Sequence, residues 1–224
     1  MALARFKKIC IDAVETLPLA EFWGAALGQR VETDDKGEAG LVNAEDKYTI
    51  WFNKAPQPKT VKHRVHLDIY AKTLADLESL GGKVLVPQRD DRRWTVMADP
   101  EGGEFCAFLR DDMPVNRLHG LVVDCTNPTA QAKWWGKVLK AEVVHHDEYS
   151  TVQQIKKLKG VTLDFVPVPE RKSEPNRIHW DVSAKSMDGL VDLGAKVLRL
   201  PDDDIRWTVL ADPEGNEFCA FPRG

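Results

Sequence analysis

The sequence predicts an α+β protein in which one mixed helix-and-strand domain occurs twice in tandem. Residues 93–110 read RWTVMADPEGGEFCAFLR and residues 206–223 read RWTVLADPEGNEFCAFPR, with 15 of the 18 positions identical at an offset of 113. The same offset aligns residues 64–68 with residues 177–181. Within each copy, short apolar strand-like runs alternate with two helical segments. A repeat of this length and order indicates a duplicated domain.

The order of elements predicted for each copy is βαβββ, repeated once. Residues 18–27 are typical of a helix, with Thr16 as its N-cap and Gly28 at its end. Residues 73–80 predict a second helix, ended by a glycine pair. We expect strands near residues 6–13, 29–35, 39–44, 47–53, 64–70, 83–87, 93–98 and 104–109.

The domain boundary is predicted at the short polar segment 111–114, DDMP. The predicted domains are therefore residues 1–111 and 115–224. Two copies in one chain can pair internally, as two chains of a homodimer would. We therefore expect a monomer.

Composition excludes some classes of partner. The chain is 43% hydrophobic and 29% charged, with a formal net charge of −4. This balance argues against binding to nucleic acid or to an anionic membrane. The N-terminal residues predict no signal peptide, no apolar run predicts a membrane span, and the four cysteines form no CxxC pair. We therefore expect a cytoplasmic protein without a structural zinc site.

Three features together resemble the vicinal oxygen chelate superfamily, in its glyoxalase-like branch. They are the βαβββ order, the aromatic pair at residues 22–23 and 134–135, and the sequence Asp-Pro-Glu-Gly before the last strand. The resemblance implies two tandem domains, each a pair of βαβββ modules whose mostly antiparallel sheet curves in a U around a cleft. Enzymes of this superfamily hold a divalent metal there through His, Glu or Gln, and include glyoxalase I, dioxygenases, epimerases and thiol transferases. Its metal-free members sequester drugs such as bleomycin.

Strand periodicity predicts which side chains face such a cleft. Alternate residues of a strand share a face, so apolar residues 65, 67 and 69 should pack inward. The opposite face then carries Arg64, His66 and Asp68 in the first copy. Its counterparts in the second copy are Arg177, His179 and Asp181. In the resemblance, His66 and His179 match the position of a metal-binding histidine.

The last strand of each copy departs from the family pattern. The position of the family's ligand glutamate is occupied by Cys106 and Cys219, with Glu104 and Glu217 two residues earlier. A buried cysteine is usually a neutral thiol, although a thiolate can bind a soft metal. The first copy is thus left with a single matching ligand, its histidine.

The second copy could assemble a 2-His-1-carboxylate set from His119, Asp164 and His179. Such a set would suit Zn, Ni, Fe or Mn. At the matching positions the first copy has Lys7 or Lys8, and Trp51. We prefer the alternative of a hydrogen-bonded polar strand face without a metal in both copies.

The repeated charged cluster of Arg, His, Asp and Glu allows two interpretations. His66 and His179 could act as general bases oriented by Asp68 and Asp181, because histidine titrates near neutral pH. The other interpretation is a network of salt bridges across the sheet. The cluster could equally contact a substrate through the side chains of Arg64, Arg177, Glu104, Glu217, Cys106 and Cys219.

Three functions remain open from the sequence. Most of the seven tryptophans should be core, but Trp51 and Trp94 are expected to line the cleft, where aromatic walls suit small organic molecules. The first hypothesis is therefore a metal-independent protein that binds a small molecule. The second is a metal-dependent lyase, isomerase or dioxygenase using the second copy. The third is a metal-free enzyme with a histidine base.

Overall fold

The computed structural model describes residues 2–223, and over these residues it contains four helices and sixteen strands. The helices are α1 (Thr16–Leu27), α2 (Leu74–Ser79), α3 (Pro128–Leu139) and α4 (Met187–Val191). The strands of the first copy are β1 (Ala4–Ala13), β2 (Arg30–Thr33), β3 (Ala39–Val42), β4 (Tyr48–Lys54), β5 (Val65–Ala71), β6 (Lys83–Val86), β7 (Thr95–Ala98) and β8 (Glu104–Leu109). Those of the second copy are β9 (Leu118–Cys125), β10 (Glu142–His145), β11 (Ser150–Gln153), β12 (Thr162–Pro167), β13 (Ile178–Ala184), β14 (Lys196–Arg199), β15 (Thr208–Ala211) and β16 (Glu217–Pro222).

The strands form two eight-stranded mixed sheets. One has the order β14-β15-β16-β13-β1-β4-β3-β2, and the other has the order β10-β11-β12-β9-β5-β8-β7-β6. Hairpin neighbours such as β7 and β8 are antiparallel, whereas β5 with β8 and β13 with β16 are parallel. The predicted α+β class and the tandem βαβββ order are confirmed.

The chain divides into two compact units, and the division falls inside strands β1 and β9. The N-terminal unit is Cys10–Leu121. The C-terminal unit combines the chain up to Ile9 with the chain from Val122 onward. The domain limits 1–111 and 115–224 stay a prediction from the repeat.

Each unit has a core of aromatic rings between helix and sheet. In the N-terminal unit, Trp23 meets Phe22 and Phe105 edge-to-face, with ring centroids 5.3 and 5.1 Å apart. In the C-terminal unit, Trp135 meets Trp134, Trp180 and Phe218 at 4.8 to 5.0 Å. Edge-to-face pairs add to the free energy of burial, so these clusters fix the helices against the sheets.

The start of α1 differs from the sequence prediction, because Thr16 is the first helical residue and not the N-cap. Glu15 occupies the N-cap position and its side chain makes no capping hydrogen bond. The carboxylate of Glu101 instead accepts hydrogen bonds from the backbone N–H groups of Val14 and Glu15. At the other end, Gly28 has φ 68° and ends the helix as predicted.

All four cysteines are buried, and none of them forms a disulfide. Among residues 2–223, no helix has both the length and the apolar character that a membrane crossing requires.

Candidate functional site

The strand β5 presents alternating faces, and its half-buried face carries a histidine and a carboxylate side by side. Val65, Leu67 and Ile69 are fully buried against the core, as the periodicity predicts. On the other face, His66 Nδ1 lies 3.1 Å from Asp68 Oδ1, with the two side chains 14% and 13% exposed. Neither atom makes a hydrogen bond. The two side chains therefore form one compact polar pair on this face of β5.

Cys106 lies directly opposite Asp68 in the parallel pairing of β5 with β8. Burial first, and then the neighbouring Asp68 carboxylate that accepts a hydrogen bond from the thiol, raise the pKa of Cys106 far above its usual range. The thiol is therefore neutral and a poor nucleophile. One ligand atom each of His66, Asp68 and Cys106 lies within 4.8 Å of the others.

The carboxylate of Glu104 bonds to the segment that leads into β5 and not to His66. Its carboxylate pairs with Lys59 Nζ at 2.7 Å and accepts the backbone N–H of His63 at 3.0 Å. Burial alone would raise its pKa, but these hydrogen bonds outweigh burial and lower the pKa below the usual value. Glu104 thus stays ionised and acts as a structural anchor.

Half-buried aromatic side chains continue the same face toward the end of β5. We call this set the aromatic end; it consists of Tyr70, Trp94, Phe108 and His119. The hydroxyl of Tyr70 is 2.8 Å from His119 Nδ1, and the two rings are 4.8 Å apart. The Phe108 ring lies 5.1 Å from His119 and 5.7 Å from Trp94. The guanidinium of Arg110 sits 5.0 Å from the Tyr70 ring.

Trp51, the other tryptophan predicted to line a cleft, lies on β4. It is half-buried, and its indole N–H donates to Glu38 at 2.9 Å. The ring of Tyr48 meets it edge-on at 5.2 Å. The strands β4 and β5 belong to different sheets, so Trp51 does not share the strand face of His66.

The C-terminal unit repeats the polar part of this face. Asp181 lies opposite Cys219, in the register that Asp68 and Cys106 have. One ligand atom of His179 and one of Asp181 lie within 4.8 Å of each other. The ammonium of Lys8 is 3.8 Å from Asp181, which is 3% exposed. Here a lysine charge faces the buried aspartate.

The C-terminal unit also repeats the glutamate that bonds to the preceding loop. The Glu217 carboxylate pairs with Lys172 Nζ at 2.5 Å and accepts a hydrogen bond from the backbone N–H of Asn176. Arg177 is half-buried beside His179, as Arg64 is beside His66. In each copy the predicted histidine and aspartate are thus close together with a cysteine opposite the aspartate, and both glutamates bond to the preceding loop.

The far end of the face differs between the units. Ser183 stands at the position of Tyr70, and Lys7 stands at the position of His119. The Lys7 ammonium lies 3.5 Å from the centroid of Phe221, whose ring is 5.1 Å from Trp207. The aromatic end is therefore a feature of the N-terminal unit, and its counterpart is capped by a cation.

The predicted ligand set His119, Asp164 and His179 is divided by the strand pairing. His119 on β9 and Asp164 on β12 belong to one sheet, and His179 on β13 belongs to the other. Both oxygens of Asp164 accept threonine hydroxyls, from Thr151 and Thr162, each at 2.6 Å. A carboxylate held in this way does not fit a resident divalent ion, and the three-residue set stays a prediction.

Sequence reasoning missed Tyr70 and Phe108. One further step of the alternation from His66 and Asp68 leads to Tyr70, and the step after Cys106 leads to Phe108. The lysines that pair with these glutamates, Lys59 and Lys172, lie in loops without periodicity, so no sequence pattern predicts them.

The chain is an α+β protein of paired βαβββ modules, with a histidine and an aspartate on one strand face in each copy. The family model described as a glyoxalase-like domain matches residues 8–108 and again residues 120–221. The chain belongs to this family, within the vicinal oxygen chelate superfamily, in its tandem two-domain form.

Solved structures with a similar fold include a glyoxalase I, a putative dioxygenase and a protein named cppA. Glyoxalase I from Zea mays superposes with a TM-score of 0.67 at 14% identity, covering 97% of this chain and 92% of that one. A putative dioxygenase from Bacillus subtilis gives 0.61 at 14% identity, covering 100% and 87%. The cppA protein from Streptococcus pneumoniae gives 0.50 at 11% identity, covering 98% and 99%. At these identities the likeness shows the fold alone. Comparison with curated proteins gives no significant match.

Proposed function

We propose that the N-terminal unit binds a small aromatic molecule without a resident metal ion. One observation carries the proposal: the half-buried polar pair of His66 and Asp68 is followed on the same strand face by the half-buried aromatic end. Successive same-face residues of a strand are about 7 Å apart. A single ring can therefore stack near Tyr70 and Phe108 while its polar substituent reaches Asp68.

The polar group of the ligand is a hydrogen-bond donor. The oxygens of the Asp68 carboxylate accept hydrogen bonds, so the polar pair suits a hydroxyl or an amine on the ligand. A carboxylate on the ligand would be repelled by Asp68. The preferred class is therefore a phenol or an aromatic amine.

Calorimetric titration with phenol, anisole and benzoate tests this assignment. We expect phenol to bind, anisole to bind about tenfold more weakly because it lacks the donor, and benzoate to show no binding. Phe108→Ala should weaken phenol binding, whereas Phe221→Ala, the matched change in the C-terminal unit, should leave it unchanged. Equal affinity for phenol and anisole, or an equal loss in both variants, would contradict the proposal.

A metal-dependent activity is the second candidate, favoured by the spacing of His66, Asp68 and Cys106 within 4.8 Å. Nitrogen, oxygen and sulfur ligands together suit zinc better than a hard ion. Such an ion must displace the proton of Cys106, which burial and Asp68 retain. Metal analysis after soaking in Zn, Ni, Fe or Mn decides: one equivalent that is lost in Cys106→Ala supports this candidate, and no bound metal removes it.

A histidine base is the third candidate, favoured by the 3.1 Å separation of His66 Nδ1 and Asp68 Oδ1. An aspartate in this position can orient an imidazole and stabilise its protonated form. If a turnover assay is found, loss of activity in both His66→Ala and Asp68→Asn supports a base. Turnover that survives His66→Ala excludes it.

A further inference from the structure

The N-terminal unit contains a cavity of about 220 Å³ between the end of α1 and the helix α2. Its walls include the buried side chains of Ala26, Ala71 and Leu77. Met113 and Arg117, from the connection between β8 and β9, also line it, and we call it the linker cavity. Alanine side chains are short, which leaves room beside them for a further apolar side chain.

In the C-terminal unit, the start of the chain lies over the same place. Positions correspond at an offset of 112 between β1 and β9 and between α1 and α3, and of 113 between β5 and β13 and between α2 and α4. Leu3 is thus the counterpart of Val115. The backbone N–H of Leu3 donates to the carbonyl of Val138 in α3 at 3.0 Å, and the Leu3 carbonyl accepts the N–H of Lys185 at 2.9 Å. A leucine with both backbone groups bonded therefore joins the helix to the end of β13.

The N-terminal unit has the partners for these two bonds but does not form the bonds. Ala26 and Lys72 occupy the corresponding positions. Over residues 2–223, the structure gives no backbone hydrogen bond from Val115 to Ala26 or from Lys72 to Val115. Val115 is 100% exposed, and the guanidinium of Arg117 donates to the Ala26 carbonyl at 3.3 Å. An arginine side chain thus takes the place that a backbone N–H has in the other unit.

The strand pairing already leads toward the closed arrangement. The carbonyl of Arg117 accepts the backbone N–H of Tyr70 at 2.8 Å. In an antiparallel ladder, bonds of this kind recur at every second residue of each strand. The next bond would join the N–H of Lys72 to the carbonyl of Val115, and the counterparts of these two residues are bonded in the C-terminal unit. One further step of an existing ladder therefore brings Val115 to the linker cavity.

The sizes of the facing side chains have changed in a compensating way. A Cβ added to Gly189 would lie 3.3 Å from Leu3 Cδ2, so this glycine leaves the room that the leucine uses. At the corresponding positions the N-terminal unit has Asp76 and Val115. A larger residue on α2 thus accompanies a shorter apolar side chain before β9. This exchange favours valine as the side chain that fits the linker cavity.

We propose that residues 111–116 form a strap that closes over the linker cavity. In the closed state Val115 packs into the cavity, its N–H donates to Ala26 and its carbonyl accepts the N–H of Lys72. The structure shows the strap open. Closing buries an apolar side chain and adds two backbone hydrogen bonds, but it orders the strap and releases Arg117 from α1. Gain and cost are of the same order, so both states are populated.

A tethered side chain suits this cavity better than a free ligand does. A separate molecule gives up translational and rotational freedom on binding, whereas a side chain on the strap is present at a high effective concentration. The strap is therefore an intramolecular device. It is independent of the aromatic site proposed above, and its test does not involve phenol.

Amide hydrogen exchange of Lys72, measured by NMR on the intact chain, reports the closed state because this N–H is bonded there. We expect exchange about threefold slower in the wild type than in Val115→Gly, as a closed state about twice as populated as the open state requires. Val61→Gly, at a valine that is 45% exposed outside the strap, is the control and should leave the Lys72 rate unchanged. Equal rates in the wild type and Val115→Gly overturn the proposal.

A double variant recreates the residue pair of the C-terminal unit. Val115→Leu combined with Asp76→Gly should slow the exchange of Lys72 about tenfold relative to Val115→Gly, because the leucine then has the room that it has beside Gly189. The N–H of Lys185, which is bonded to Leu3 in the structure, provides the reference for a closed site. A double variant whose Lys72 exchanges as fast as in Val115→Gly contradicts the proposal.

Discussion

At the scale of single residues, the two copies show which side chains must change together. A Cβ on Gly103 would lie 2.7 Å from Asp99 Oδ2 and 2.8 Å from His63 Cε1. The second copy has Asn216 at this position, and Asn176 where the first copy has His63. Asn176 donates to Asn216 at 3.0 Å, and Asn216 donates to the buried aspartate of the turn at 3.1 Å.

We predict that Gly103→Asn alone destabilises the protein by about 2 kcal/mol, because a side chain is forced against His63. Adding His63→Asn should restore most of the loss, since it recreates the asparagine pair. Urea unfolding of the single and double variants measures both values. A double variant as unstable as the sum of the two single changes would contradict this coupling.

The buried turn aspartate Asp99 gives stability a pH dependence. Burial raises the pKa of Asp99 to about 6, against hydrogen bonds from Gly103, Trp23 and Glu101 that lower it. The folded state therefore holds this proton more tightly than the unfolded chain does. The contribution is complete below about pH 4 and is lost as the pH rises to about 6, amounting to ~3 kcal/mol at most.

Asp99→Asn should remove this dependence, because an amide does not titrate. We expect the wild type to lose stability relative to the variant between about pH 4 and about pH 6, measured by urea unfolding at each pH. Asp91→Asn, on a side chain 79% exposed, is the control and should follow the wild type. Parallel profiles for wild type and Asp99→Asn would refute the assignment.

At the scale of elements, hydrophobic periodicity predicted most strands and helices to within a few residues. The half-buried face of β5 followed directly from its alternation, and Gly28 from its place after an apolar helix. The predicted N-cap of α1 was wrong because the group that accepts hydrogen bonds at this helix start is remote in sequence. Glu101 is 86 residues from Glu15. A pattern within the helix carries no information about a carboxylate supplied by a distant turn.

A glutamate carboxylate accepts backbone N–H groups just before α1 and just before α3, but the two helix starts differ in a testable way. Glu214 accepts the N–H groups of Thr126 and Asn127 before α3, but Asn127 also caps that helix through its own side chain. We predict that Glu101→Ala costs about 1 to 2 kcal/mol, and that Glu214→Ala costs less because a cap remains. Thermal unfolding of the two variants compares them. Equal losses would show that the Asn127 cap contributes nothing.

At the scale of the whole molecule, duplication made the fold easy to predict and the site difficult. The repeat fixed the element order twice, and the structure confirms it. The ligand set His119, Asp164 and His179 rests on position in the repeat and stays a prediction, with His179 in a different sheet from the other two. Sheet membership depends on long-range pairing, which neither spacing nor composition encodes.

The divergence between copies is the more informative signal of function. Tyr70 and His119 occur where the second copy has Ser183 and Lys7, and these exchanges give the N-terminal unit its aromatic end.

The most direct test of a metal-independent aromatic site is phenol binding to protein stripped with a chelator. We predict the same affinity before and after chelation, and an affinity reduced about tenfold in His66→Ala, since the accepting pair at β5 is then broken. Loss of phenol binding on chelation, restored by one equivalent of zinc, would contradict the account and assign the His66, Asp68 and Cys106 group to a metal.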